Sequence, residues 1–257
     1  VELGTDVAAG DHLRVELDGV DGVWSTLAVY DARGKLLQRR RGRPGELTVL
    51  AHLLRPAGDH FYAVVRCGRT FNVEARYSLR VSAAPPAGGS EVEPNDNVAR
   101  ASALPLEQLV TGLLPDVYDR DVFAVPVDRP GLLRVTLSPP LALDASLAVV
   151  DGKGKVIQEV DAGGAGKAEL IAGVFVQPPR ALLRLRARKA RAVDPVGSYR
   201  LFAKLSSAAA FEREPNGPKG AATPWPEGLS EVSGYLHPVK DIDNFSLRSE
   251  QSRGAPG

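Results

Sequence analysis

Apolar and polar residues alternate with period two along much of this chain. Leu13, Val15 and Leu17 are separated by Arg14 and Glu16, and Leu133, Val135 and Leu137 by Arg134 and Thr136. Leu183, Leu185 and Ala187 are separated by Arg184 and Arg186, and Tyr199-Arg200-Leu201-Phe202-Ala203-Lys204 nearly keeps the rhythm. Such alternation puts apolar groups on one face and charge on the other, which predicts half-buried antiparallel strands. Asp31-Ala32-Arg33-Gly34 and Asp151-Gly152-Lys153-Gly154 each separate two such runs. Asp bonds its own backbone and Gly supplies positive φ, so both strings predict hairpin turns. Turn signals recur roughly every 8–12 residues, a spacing that favours a β-sandwich over a helical fold. One helical turn is expected at Asn97–Leu104, with Asp96 as its cap.

Longer-range self-similarity divides the chain. Glu91-Val92-Glu93-Pro94-Asn95-Asp96 returns as Glu212-Arg213-Glu214-Pro215-Asn216-Gly217. Asp119-Arg120-Asp121-Val122-Phe123 returns as Asp241-Ile242-Asp243-Asn244-Phe245. The strand around Leu13 matches that around Leu133, the hairpin at Asp31 matches that at Asp151, and Tyr77-Ser78-Leu79 matches Tyr199-Arg200-Leu201. A period this long implies tandem domains rather than a solenoid. The expected units are 1–84, a first repeat lacking its beginning; 91–205, a complete repeat; and 212–257, the beginning of a third. The small, Pro- and Gly-rich stretch 85–90 and the Ser/Ala stretch 206–211 are the expected linkers. The segment 212–248 supplies what 1–84 lacks, so it is a candidate to complete a first-repeat sheet.

Composition narrows the functional classes. A net charge of +1 gives no reason to expect a nucleic-acid partner. No apolar run approaches the ~20 residues of a membrane-spanning helix. The single cysteine, Cys67, excludes an internal disulfide framework, and its counterpart Ala187 suggests a buried small residue. The chain starts within a repeat and without Met, so its N-terminus is read as lying further upstream. His12, His52, His60 and His237 form no zinc-binding spacing, and neither a nucleophile elbow nor a phosphate-cradling loop is present, so the expectation is a non-enzyme.

Taken together, Glu-x-Glu-Pro-Asn-Asp, then Gly112-x-Leu114, Asp119-x-Asp121-x-Phe123, the Asp-x-x-Gly hairpin and a late Tyr-x-Leu strand resemble the bacterial pre-peptidase C-terminal domain. The collagen-binding domains of clostridial collagenases are similar. The resemblance implies an all-β fold of tandem antiparallel, jelly-roll-like sandwiches on a secreted, periplasmic or cell-surface bacterial protein. It implies a non-catalytic accessory module, often beside a peptidase.

In calcium-binding members the two acidic strings meet. Carried over by motif position, the ligands are Glu91, Glu93, Asn95, Asp96, Asp119 and Asp121, with calcium as the implied cofactor. Oxygen-rich donors of this kind suit a cation that takes 6–8 oxygens. A weaker second site comprises Glu212, Glu214, Asn216, Asp241 and Asp243, because Gly217 replaces an acid. Apart from neighbouring domains, the candidate partners are an extracellular protein or a polysaccharide. Arg184, Arg186 and Arg188 on the outer face of a late strand are the candidate ligand-binding residues. Arg39-Arg40-Arg41-x-Arg43 is expected as a loop. Trp225, between two prolines, is the best candidate for an exposed aromatic anchor, while the other aromatics are expected in core or turn packing. With only 6% aromatics, the chain offers little for collagen. The resulting expectation is a spacer, stabilising or docking module, with a polysaccharide- or protein-binding module and the appendage of a hydrolase as alternatives.

Overall fold

The computed structural model describes residues 10–55, 60–86, 88–189, 193–207, 210–217, 221–236 and 241–247. Among them there is no α-helix, and the fold is all-β, built of antiparallel sheets packed face to face.

Six strands build a first sheet pair: β1 (His12–Leu17), β2 (Ser25–Asp31), β3 (Leu36–Gly42), β4 (Thr48–Leu54), β5 (Phe61–Cys67) and β6 (Leu79–Ala84). They form the sheets β4-β1-β6 and β3-β2-β5. Leu13, Val15 and Leu17, with Leu50 and Leu53 beside them in the same sheet, pack with Leu27 and Val29 of the other sheet, while the polar residues alternating along β1 turn outward.

Nine strands build a second pair: β7 (Ser102–Ala103), β8 (Leu109–Gly112), β9 (Arg120–Pro126), β10 (Gly131–Ser138), β11 (Ala145–Val150), β12 (Val156–Val160), β13 (Glu169–Val176), β14 (Arg180–Ala187) and β15 (Tyr199–Ser206). Their orders, β13-β10-β15-β8 and β12-β11-β14-β9-β7, contain the order of the first pair with three strands added at one side. Those three come from a single entry segment, residues 90–126. Beyond residue 210 a third segment contributes β16 (Thr223–Pro224) and β17 (Phe245–Ser246), parallel to each other as β7 is to β9.

The hairpins are chemically the same in both pairs. Asp31 Oδ1 accepts from the backbone N–H of Arg33 and Lys35 at 2.9 and 2.8 Å, and Asp151 Oδ1 from Lys153 and Lys155 at 2.8 and 2.9 Å. Gly34 and Gly154 close the turns at φ 77° and 79°, where a Cβ would be strained. A β-bulge interrupts β1–β4 between Leu13 and Val15, and another interrupts β10–β13 between Leu133 and Val135.

Two local expectations are corrected. Arg39–Arg43 is not a loop, since β3 runs through Arg39, Arg40 and Arg41. Its Leu-Leu-Gln-Arg-Arg-Arg-Gly sequence lacks apolar alternation because one inward position is Arg40, whose charge is answered from outside the sheet pair. Nor is there a helical turn at Asn97–Leu104. Asn97 closes a short turn through Ala99 N–H, at 3.1 Å to Oδ1, and the chain then enters β7. The competing demand is that of Ser102, whose hydroxyl bonds the main chain of Val92.

Candidate cation site

The entry segment lies against both sheet pairs. Glu93 N–H donates to His52 O at 2.9 Å, and Leu54 N–H donates to Glu93 O at 3.3 Å, forming a one-residue parallel bridge on the edge of β4. Leu113 packs on Val49 and Ala51 of the same strand. On its other side the segment contributes β8 and β9 to the second pair, where Tyr199 pairs with Gly112 and Leu185 with Asp121.

This double docking folds the two acidic strings onto one spot. Carboxylate oxygens of Glu91, Glu93 and Asp121 lie within 4.8 Å of one another, and all three residues are buried. Glu91 accepts from Leu113 N–H at 2.8 Å, from Asn95 Nδ2 at 3.3 Å and from the Tyr199 hydroxyl at 2.8 Å. The same hydroxyl lies 2.6 Å from Asp121 Oδ2. Its single proton serves only one of the two carboxylates at a time. Glu93 Oε2 accepts from Asn95 N–H at 2.9 Å. Asn95 Oδ1 and Asp121 Oδ1 are buried with no hydrogen-bond partner. Gly112 is required here, because a Cβ would lie 2.6 Å from the Glu91 carboxyl carbon and collide with the Tyr199 hydroxyl.

Crowding carboxylates away from water disfavours their charged forms. Burial, then the neighbouring acids, push Glu93 and Asp121 well above the ordinary carboxylate range. Burial raises Glu91 as well. Asp119 is pushed up to about 7, chiefly by burial, with the Arg40 guanidinium pulling the other way.

Of the other three expected ligands, Asn95 lies at this trio and two stand apart from it. Asp96 is exposed. Asp119 Oδ2 pairs with Arg40 Nη2 at 3.2 Å, a buried ion pair between the entry segment and β3. Asp116 joins it, 3.5 Å from Arg40 Nε. Tyr199, Ser102 and Arg40 are members of the site that the sequence did not single out. The pairing of Tyr77-Ser78-Leu79 with Tyr199-Arg200-Leu201 carries the Tyr199 signal, but in the sequence it marks a strand and not a donor.

The third segment repeats the geometry. Glu212, Glu214 and Asp243 gather as Glu91, Glu93 and Asp121 do. Glu212 accepts from Tyr235 N–H and packs against Gly234. Asn216 N–H donates to Glu214 at 3.0 Å, and Glu214 Oε1, Asn216 Oδ1 and Asp243 Oδ1 are buried without partners. Burial pushes Glu214 up to about 7 and raises Glu212. Asp241 is half-buried, its Oδ1 accepting from Ile242 N–H at 3.0 Å. Gly217 stands where Asp96 is exposed, so its missing acid takes no member from the cluster.

The binding-surface residues are engaged elsewhere. Arg186 pairs with Glu159 at 2.8 Å and Arg188 with Asp161 at 2.6 Å, while Arg184 reaches Gly154 O at 3.4 Å. Trp225 is half-buried, donating from Nε1 to Leu229 O at 2.8 Å and meeting Phe245 edge-on at 6.0 Å. Cys67 is exposed rather than buried, because no described strand lies beside β5 where β9 covers its counterpart Ala187. Trp24 and Tyr62 are likewise exposed, contrary to the expected core or turn packing, whereas Tyr118, also exposed, lies in the expected turn, its N–H donating to Asp116 Oδ1 at 2.7 Å.

No helix among the described residues is long and apolar enough to cross a membrane. No family model and no curated protein matches the chain. Among solved structures, it is similar to the pre-peptidase C-terminal domain of collagenase from Bacillus anthracis, at 16% identity and TM-score 0.33, over 40% of this chain and 94% of that one. It is also similar to the insecticidal delta-endotoxin Cry8Ea1 from Bacillus thuringiensis, at 8% identity and TM-score 0.25, over 74% of this chain and 43% of that one. Likeness this distant carries no functional argument, which rests instead on the residues above.

Proposed function

We propose that the chain is a non-catalytic module of tandem β-sandwich units whose junction is stiffened by a hard divalent cation, calcium by preference. The observation behind this reading is the buried trio Glu91, Glu93 and Asp121 together with the unpartnered oxygens of Asn95 and Asp121. Their all-oxygen donor set fits calcium, and a cation would satisfy the lone pairs that no protein donor reaches. Glu91, Glu93, Asn95 and Asp121 would hold it, while Asp119 stays with Arg40. The entry segment carries the cluster while bonded to both sheet pairs, so filling it would resist their separation. Extracellular calcium modules fill at roughly 10⁻⁴–10⁻³ M, which suits a secreted or envelope setting for a spacer or docking module. Attachment to a peptidase or other hydrolase lying outside these residues fits the same reading.

The test is a thermal melt of the wild type and of a Glu93→Gln/Asp121→Asn variant in calcium and in EDTA. Calcium at 100 times its Kd should stabilise the wild type by about 2.7 kcal/mol and leave the variant unmoved. An identical wild-type Tm in millimolar calcium and in EDTA would refute the cation reading.

A further inference from the structure

We propose that the outer face of the β3-β2-β5 sheet binds an acidic polysaccharide, with Arg39, Arg41 and Arg66 taking its carboxylates or sulfates and Trp24 a sugar ring. The site is separate from the acidic cluster and does not depend on a cation there.

The two sheet pairs carry opposite charge on faces that are otherwise alike. In the second pair, Ala148 of β11 lies between Glu159 of β12 and Arg184 of β14. In the first, Ala28 of β2 lies between Arg39 of β3 and Val64 of β5. On the next rung Thr26 lies between Arg41 and Arg66. The second pair has Ser146 beside Arg186 there, with Asp161 following the end of β12. That second face neutralises itself. Glu159 pairs with Arg186 at 2.8 Å, Asp161 with Arg188 at 2.6 Å and Asp144 with Lys189 at 2.9 Å. In the repeat alignment the positions of Glu159, Asp161 and Asp144 hold Arg39, Arg41 and Trp24. Arg39, Arg41 and Arg66 are exposed, and among the described residues no carboxylate pairs with them. Like charges on neighbouring strands of one face repel, and an anion laid between them removes that cost.

The same exchanges open room for a ligand. Gly68 stands at the position of Arg188, beside a hollow of about 500 Å³ that Trp24, Arg41 and Arg69 also line. A hollow of about 130 Å³ lies among Tyr30, Arg39, Arg41 and Arg66, and one of about 570 Å³ runs from Trp24 and Arg41 to Tyr118. Arg41 lines all three, so they form one track, which rises about 20 Å along the chain from Tyr30 to Trp24. Gly68 N–H donates to Trp24 O at 2.6 Å, which fixes the main chain while the residue stays 51% exposed.

This face is a surface in a complete unit too. In the second pair the entry segment adds its strands beyond β14, on the side away from β12. With that segment in place, the side chains of Glu159, Asp161, Arg186 and Arg188 remain 26–34% exposed.

The chemistry of the track selects the ligand. Guanidinium groups grip carboxylate or sulfate through paired hydrogen bonds, and the C–H face of a sugar packs on an exposed indole. Arginines set apart on separate rungs suit a polymer with an acid on every sugar or every second one. Glu46 and Asp116, at the far end of the track, disfavour the unbroken charge of a nucleic acid.

Affinity electrophoresis of the whole chain through gels holding heparin, polygalacturonate or oligothymidylate tests the site. Running it in EDTA keeps the outcome apart from that of the cation reading. Both polysaccharides should retard the wild type, and less so as salt rises, because the arginines are exposed. Arg39→Glu/Arg41→Asp, which copies the second pair, should weaken binding by roughly tenfold or more through loss of two charge-assisted contacts. Its Tm should not fall, since Arg66 gains a partner. Trp24→Ala should weaken polygalacturonate binding by a few-fold. Arg129→Glu/Arg134→Asp, an equal change of charge at exposed positions elsewhere, should migrate as the wild type does. A wild type that neither polysaccharide retards, a loss as large in the Arg129/Arg134 variant, or stronger retardation by oligothymidylate than by either polysaccharide would overturn the proposal.

Discussion

The two sheet pairs follow one pattern of alternation, one hairpin chemistry and one strand order, yet they bury very different amounts of what they align. Leu183, Leu185, Tyr199 and Leu201 are sealed in the second, whereas Ala63, Val65, Tyr77 and Leu79 at the corresponding positions of the first are half-buried or exposed. The sequence of a strand sets which face is apolar, but whether that face becomes core depends on what covers its edge. In the second pair the cover is the entry segment, which brings its acids with it, so completing the core and assembling the cluster are one event.

The largest effect expected from this contrast is in the aliphatic layer. Leu201→Ala should cost about 2–5 kcal/mol in the second pair, as for a fully buried leucine, and Leu79→Ala on the order of 1 kcal/mol in the first. Hydrogen exchange resolved onto β15 and β6 reads the two separately. Equal costs would mean that the first pair is sealed in solution. A smaller effect should follow removal of one hydroxyl. Tyr199→Phe strips Glu91 and Asp121 of their shared donor and should cost about 1–3 kcal/mol. Tyr77→Phe, at an exposed position, should fall within about 0.5 kcal/mol of the wild type; a matching loss there would erase the contrast.

The gentlest probe is pH. Glu91, Glu93, Asp119 and Asp121 hold their protons to higher pH when folded than when unfolded. Their folded state is therefore favoured most below the ordinary carboxylate range, and stability drains away as pH rises from there through about 7, the value of Asp119. In EDTA the Tm of the second pair should decline across that window, and calcium should abolish the decline. A Tm that instead climbs with pH in EDTA would show that the cluster is stabilised as anions by protein groups alone.

Much of this was legible in the chain itself. Period-two alternation located β1, β10, β14 and β15, and the repeated acidic strings marked the residues that come together. What stayed hidden depended on neighbours distant in sequence. Arg40 reads as one of a run of surface arginines until Asp116 and Asp119 arrive from the entry segment. Cys67 and Ala187 read alike, and only the strand beside them decides which is buried. Asp96 belongs to the acidic string yet lies outside the trio, because the chain turns at Asn97 to deliver Ser102 to Val92.

The bulges described in β1–β4 and β10–β13 give these sheets a polarity that bears on solubility. At the first, His52 sits at φ 55° and offers its carbonyl to one residue only, so the β4 edge accepts a single bridge and cannot template a long strand. The opposite edge, β6, is in unbroken register with β1 from His12↔Ala84 to Leu17↔Leu79. Among the described residues, edge-to-edge stacking is blunted on the β4 flank and not on the β6 flank. A preparation that precipitates should therefore do so through β6, and a lysine or proline placed there would be the natural gatekeeper.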